Sequence, residues 1–177
     1  MKRISVKELL AAYESGQREF TELDLSGADL FECSLPGIIL RGSDLSHAHL
    51  AYANLGRVDL HGAVLHHAEM SNTCLRFANL AYTDLSHAHL FRADLHQCSL
   101  DYANLYHANL QSSNLSLASF NNANLTGADF RHANLKHATL MQANLSRCNF
   151  FRARCVNLVD AIADFTTIFP SGHLGSD

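Results

Sequence analysis

The chain has 177 residues, 47% of them hydrophobic and 17% charged, with a formal net charge of −4 and no tryptophan. That length suits one domain with a sizeable core, and the mild acidity excludes a polybasic nucleic-acid binder. No stretch reaches the ~20 apolar residues of a membrane span, and Lys7 and Glu8 interrupt any signal-peptide run, so a cytoplasmic location is expected.

In chain order the first expected element is a helix. Ser5-Val6-Lys7-Glu8 has the form of a capping box. Val6, Leu9, Leu10 and Tyr13 fall on one helical face, and Gly16 can end the helix. Residues 1–19 are read as an N-terminal capping helix.

From Phe20 the sequence changes character. Every fifth residue up to Phe165 is Leu or Phe, apart from Met70, Cys155 and Asp160. Two positions before each stands a small residue, most often Ala; the compact substitutes include Cys33, Ser43, Thr73, Thr83, Cys98, Ser113 and Cys148. Leu23, Ile38 and Val58 are larger exceptions. Asp or Asn fills most positions between the two, so the unit is A-(D/N)-L-x-x.

Neither standard element can hold this period. On an α-helix a step of five wraps the leucines round every side, and on a flat strand an odd step puts successive leucines on opposite faces. A shared interior requires the chain to turn once per unit. One unit cannot stand alone: a buried Leu contributes about 1.5–3 kcal/mol, while ordering five residues costs roughly 5–10 kcal/mol. Stability must propagate between stacked neighbours, as in a solenoid.

The run from about Phe20 to Cys155, with its unbroken register, resembles the pentapeptide-repeat family. That resemblance implies an all-β fold, a right-handed quadrilateral parallel β-helix of twenty residues per coil and about seven coils, opened by a short α-helical cap. At the usual strand spacing the rod would be about 35 Å long. The stretch "ELLAAYESGQREF" is similar to the amphipathic cap of many cyanobacterial members. The β-helix is expected over 20–155 and a C-terminal cap and tail over 156–177, all one domain. Regular coiling should stop near Cys155, because Asp160 next takes the Leu position and a buried carboxylate is costly. Phe165, Ile168 and Phe169 would then form an apolar lid. Gyrase inhibitors of the family dimerise through this end, which leaves monomer and end-to-end homodimer both open.

With twenty residues per coil, the repeated heptapeptide "DLSHAHL" at 44–50 and 84–90 lies two coils apart on one face. His47, His67, His87 and His107 then form an outward column, beside a second column containing Asp29, His49, Glu69 and His89. Crowded imidazoles disfavour joint protonation in the first; flanking carboxylates favour the charged form in the second. His47, His67, His49 and Glu69 are ligand types that suit zinc, nickel or copper. Parallel ladder side chains do not converge as a tetrahedral site requires, so the expectation is a solvated face and no bound metal or cofactor, with a surface metal binder on those four residues kept as a further alternative.

No G-x-S-x-G, P-loop or HExxH occurs, and no enzyme is expected. The five cysteines lack CxxC spacing and read as free thiols in a reducing compartment. Cys33, Cys98 and Cys148 occupy the small slot and Cys155 the Leu slot, which predicts burial; Cys74 points outward. Phe31, Phe77, Phe91, Tyr82, Tyr102, Tyr106, Leu117, Met141 and Phe151 also fall on outward positions, and Tyr82 should stack on Tyr102. These residues suggest a non-enzymatic scaffold that docks a protein partner. The alternative implied by the resemblance is a DNA-mimic modulator of DNA gyrase. Acidic residues predominate from Glu19 to Asp101, but Tyr102–Ala128 is uncharged, and Arg131, Lys136, Arg147, Arg152 and Arg154 make the far end basic. A duplex mimic should be negative throughout.

Overall fold

The computed structural model describes residues 1–174; the last three positions of the expected tail lie outside the described residues. Strand β1 (Lys2–Arg3) runs parallel to β2 (Leu23–Asp24). Between them lies helix α1 (Val6–Glu14). Ser5 caps α1 reciprocally: its Oγ accepts from the Glu8 N–H at 3.2 Å, and Glu8 Oε2 accepts from the Ser5 N–H at 2.8 Å. Leu9 is fully buried against the first coil, and the Tyr13 hydroxyl donates to the Pro36 carbonyl at 2.7 Å. The helix plugs an end that would otherwise expose apolar core and strand edge.

Beyond the cap, four pentapeptides complete one coil. The middle residue of each unit bridges in parallel to the residue twenty positions on, as in Asp29↔His49↔Glu69↔His89↔Asn109↔Asp129↔Asn149. The unit around Leu85 shows how every N–H is satisfied. Leu85 donates to the Asn104 carbonyl at 2.7 Å and His87 to Tyr106 at 2.8 Å, both in the next coil. His89 donates back to Ala68 at 2.9 Å, and Ala88 closes a turn onto Leu85 at 3.0 Å. The remaining donor, Ser86 N–H, goes to the Asp84 side chain at 3.0 Å. That last bond explains the recurring Asp or Asn: its side chain holds the one amide that neither neighbouring coil can reach.

At each corner the chain turns with a positive φ on the second residue after Leu, from Glu22 at 54° to Arg152 at 58°. A turn closed by a hydrogen bond, with positive φ confined to its third residue, has the type II form. Gly takes this place at Gly27, Gly37, Gly42, Gly62 and Gly127, but most corners use ordinary residues. Each of those accepts a local cost of about 1–2 kcal/mol that the surrounding ladder offsets.

The interior is a continuous file of Leu and Ala. In the later coils Phe replaces Leu, with the Phe130 and Phe150 rings stacked at 4.8 Å. Polar substitutes in the small slot survive because each finds a carbonyl: Ser43 donates to Phe20, Thr73 to Leu50, Cys98 to Leu75 and Cys148 to Leu125.

The far end departs from expectation at Cys155, which is exposed rather than buried. It carries φ 56°, so the chain turns immediately after Arg154, before a side chain can enter the Leu slot. Leu158 packs against the core instead, and Asp160 occupies an outward corner at φ 61°. The pairing offset shrinks accordingly: Asn144 bridges Ile162 and Asn149 bridges Ile168. Phe165 is not part of a lid, being 75% exposed. An extra residue between Ile162 and Ile168 gives Thr167 the buried slot, and Ile168 and Phe169 are half-buried.

Candidate functional site

Since the interior is filled, the side chains free to meet another molecule are those at the corners and the middle columns. His47, His67, His87 and His107 occupy the same corner of successive coils, with φ between 54° and 58°. Histidine is among the few ordinary residues enriched in this region. Their rings stack face to face, with centroids 5.2, 4.8 and 5.7 Å apart in turn. His66 and Tyr106, one residue earlier at the same corner, meet this stack edge-on: His66 lies 4.1 Å from His67 and Tyr106 lies 4.4 Å from His107. The file ends where His107 lies over Gly127, whose Cβ, if present, would come within 2.6 Å of the ring.

Desolvation, followed by the neighbouring imidazoles of His66, His87, His47 and His89, lowers the pKa of His67 below its ordinary value. In the adjacent column His49 Nδ1 lies 3.2 Å from Asp29, and His89 Nδ1 lies 2.9 Å from Glu69.

This arrangement does not bring His47, His67, His49 and Glu69 together. The first two face each other ring to ring, His49 is turned to Asp29, and Glu69 is turned to His89. Among the described residues no three His, Cys, Asp or Glu side chains form a group that could hold a metal ion.

On another corner Tyr82 and Tyr102 stack at 4.9 Å with planes 5° apart, and His61 lies 5.2 Å from Tyr82. Phe31 stacks on His49 at 5.0 Å and meets Tyr52 edge-on at 5.9 Å. Tyr52 was legible as an outward position in the period but hidden by the Ala-rich run around it. Phe31, Phe77, Tyr106, Leu117 and Met141 are exposed, whereas Phe91 and Phe151 are half-buried.

The thiols divide by slot. Burial pushes Cys98 and Cys148 up to about 12 and raises Cys33 less far, which leaves all three protonated near neutrality. Cys74 lies half-buried in a middle column between Asn54 and Asp94. A cleft of about 430 Å³ beside α1 is lined by Lys2, Arg3, Glu8, Glu19 and Thr21 among others, the meeting of cap and first coil.

The family model for pentapeptide repeats matches residues 24–62, 43–80, 78–116 and 118–154, in eight copies. Among curated proteins none matches the sequence. Among solved structures the chain is similar to HetL, a pentapeptide repeat protein involved in heterocyst differentiation regulation from the cyanobacterium Nostoc sp. strain PCC 7120. That likeness has 25% identity over 97% of this chain and 100% of the other, with a TM-score of 0.47. It is also similar to a trypsin-treated variant of QnrB1, a plasmid-mediated fluoroquinolone resistance protein, at 19% identity over 82% and 79% of the two chains, TM-score 0.56. A third is Rfr23 from the cyanobacterium Cyanothece 51142, at 23% identity over 93% and 99%, TM-score 0.41. The QnrB1 likeness is one of fold.

Proposed function

Because the chain belongs to the pentapeptide-repeat family, we propose that it is a non-enzymatic, cytoplasmic scaffold: a right-handed, four-sided rod of about seven coils whose corner side chains dock a protein partner. The observation carrying this reading is the division of labour within each unit. Core and ladder consume the inward side chains and the backbone, so recognition falls to outward residues, which are aromatic at several corners. The Tyr82–Tyr102 stack is the leading candidate anchor, since both rings are more than half exposed yet already held by each other. Pre-stacked tyrosines lose little further freedom on binding.

The test is affinity capture from the native organism with the wild-type chain and a Tyr82→Ser/Tyr102→Ser variant. A protein retained in stoichiometric amount by the first and lost from the second supports the scaffold; no difference overturns the anchor. A DNA-gyrase supercoiling assay tests the mimic alternative, for which unchanged activity at micromolar protein is expected. The charge pattern supports that outcome, because the second half of the rod carries Arg131, Lys136, Arg147, Arg152 and Arg154.

A further inference from the structure

The side of the rod between the His47 and Tyr52 corners carries an alternating middle column. Asp29, His49, Glu69 and His89 follow one another on successive coils; His49 Nδ1 lies 3.2 Å from Asp29 Oδ1, and His89 Nδ1 lies 2.9 Å from Glu69 Oε1. These four side chains are 48% to 76% exposed, whereas most other middle residues are half-buried. Each ring is engaged through one nitrogen. Nε2 of both therefore remains for a second acceptor, and Oδ2 of Asp29 and Oε2 of Glu69 remain for a second donor.

The neighbouring corner adds full charges to the pattern. Phe91–Arg92 and Phe151–Arg152 both stand there, and in each the guanidinium lies over the preceding ring, at 4.9 and 5.0 Å. On the first coil the same two places read Phe31–Glu32, so an exposed ring has a carboxylate where the others have a cation. Among the described residues neither Glu32 nor Arg92 is in an ion pair. They cannot meet within one chain, being three coils apart, about 14 Å at the usual strand spacing.

This order is complementary to its own reverse. Two copies can be laid side against side in opposite directions, turned about an axis in the contact plane between the second and third coils. Like corners then stay together, the first coil meets the fourth, and the second meets the third. Asp29 of one copy faces His89 of the other, His49 faces Glu69, and Glu32 faces Arg92, each contact made twice by symmetry. A ring of unlike partners closes: Asp29, its own His49, then Glu69 and His89 of the second copy, and back to Asp29. Phe31 comes beside Phe91, whose Arg92 supplies the cation that the first coil lacks. Other registers lose this match. Parallel rods would set Asp29 on Asp29 and Glu69 on Glu69. Shifting the antiparallel pair by one coil would set Asp29 on Glu69 in one direction and Glu69 on itself in the other, like charges that are costly at close range.

We propose that this side binds a second copy of the chain in antiparallel register, forming a closed two-fold dimer of laterally paired rods. The contact spans four coils, about 20 Å, which makes the interface small and the association reversible. It goes beyond the corner-docking reading: Tyr82 follows Asn72 by half a coil and so stands across the rod from the Glu32 corner.

The experiment is sedimentation equilibrium of the full chain from about 10 μM to about 1 mM, a range suited to weak self-association. Wild type should pass from monomer to dimer and no further. Glu32→Arg and Arg92→Glu should each weaken the dimer at least ten-fold, because each sets like charges opposite one another. An equimolar mixture of the two variants should regain wild-type association to within about three-fold, since the two arginines of one chain then meet the two carboxylates of the other. The doubly exchanged Glu32→Arg/Arg92→Glu chain should do the same, and Glu69→Gln should weaken the dimer about five-fold. Tyr82→Ser/Tyr102→Ser should dimerise as wild type does, which separates failure here from failure at the corners. A chain that stays monomeric at the highest concentration would overturn the proposal. So would a dimer that both charge variants leave intact, as an end-to-end contact would be, and so would a mixture of the two variants that remains monomeric.

Discussion

Asp84 shows what a single middle-position side chain does. Its Oδ1 accepts from the Ser86 N–H and from Asn104 Nδ2, each at 3.0 Å. Asp84→Ala should strand a nearly buried amide and destabilise the protein by about 1–3 kcal/mol in urea denaturation. Val64 is the natural counter-case, standing between Asp44 and Asp84 in the same column with no acceptor to offer. Val64→Asn should therefore stabilise by about 0.5–1.5 kcal/mol, whereas Asp there would face two carboxylates. His67 makes a prediction of its own. Its folded-state pKa is depressed, so the folded protein binds this proton less readily than the unfolded chain does. The associated stability is present above the ordinary value of 6.5 and is lost as pH falls through the lower folded value. The groups that face it are His47, His66, His87 and His89. The urea midpoint should fall between about pH 7.5 and about pH 5.5, and fall less in His67→Gln; an equal fall in both would contradict the crowding argument.

At the level of elements, α1 closes the first coil, and its cap is the most local feature of the fold. Ser5→Ala should cost about 0.5–2 kcal/mol, read as a lower melting temperature, with loss of protection concentrated in the Glu8 amide, which loses its acceptor. This helix was legible because caps and a 3.6-residue apolar stripe are written in consecutive residues. The five-residue period was legible for a similar reason: Leu and Ala report their burial directly. The corners were not. Nothing in Tyr52, Arg57 or Leu117 announces a positive φ, which the ladder imposes from outside. The end of the coil was half legible. Asp160 signalled that the Leu column must fail, but where the chain turns depends on Cys155 adopting φ 56°, a choice that packing makes and residue type does not. Counting from the old register put Cys155 indoors and Phe165 in a lid; both are exposed. Of the histidine face, the columns followed from the spacing once the family resemblance had supplied twenty residues per coil, while the direction each ring faces followed from neighbours such as Asp29 and Gly127.

For the whole molecule, each coil touches only the coils above and below, so stability is a sum of nearest-neighbour terms. Removing residues 86–105 joins Leu85 to Tyr106 and preserves every column, since bridges step by twenty. That shortened chain should fold with an unchanged β-type circular dichroism shape and one cooperative transition. Removing 86–103 instead would set Leu105 at a corner and should give no cooperative melt. Such regularity carries a hazard, because a flat parallel edge is a template on which further chains can add without limit. The premature turn at Cys155 disturbs that regularity: one bridge column stops at Thr139, and on the next two sides the offset falls to 18 (Asn144 to Ile162) and 19 (Asn149 to Ile168), so the last coil is no longer a copy of those before it. A single local misstep in the backbone should thus work against growth into a filament, and light scattering at rising concentration is expected to show no elongating species.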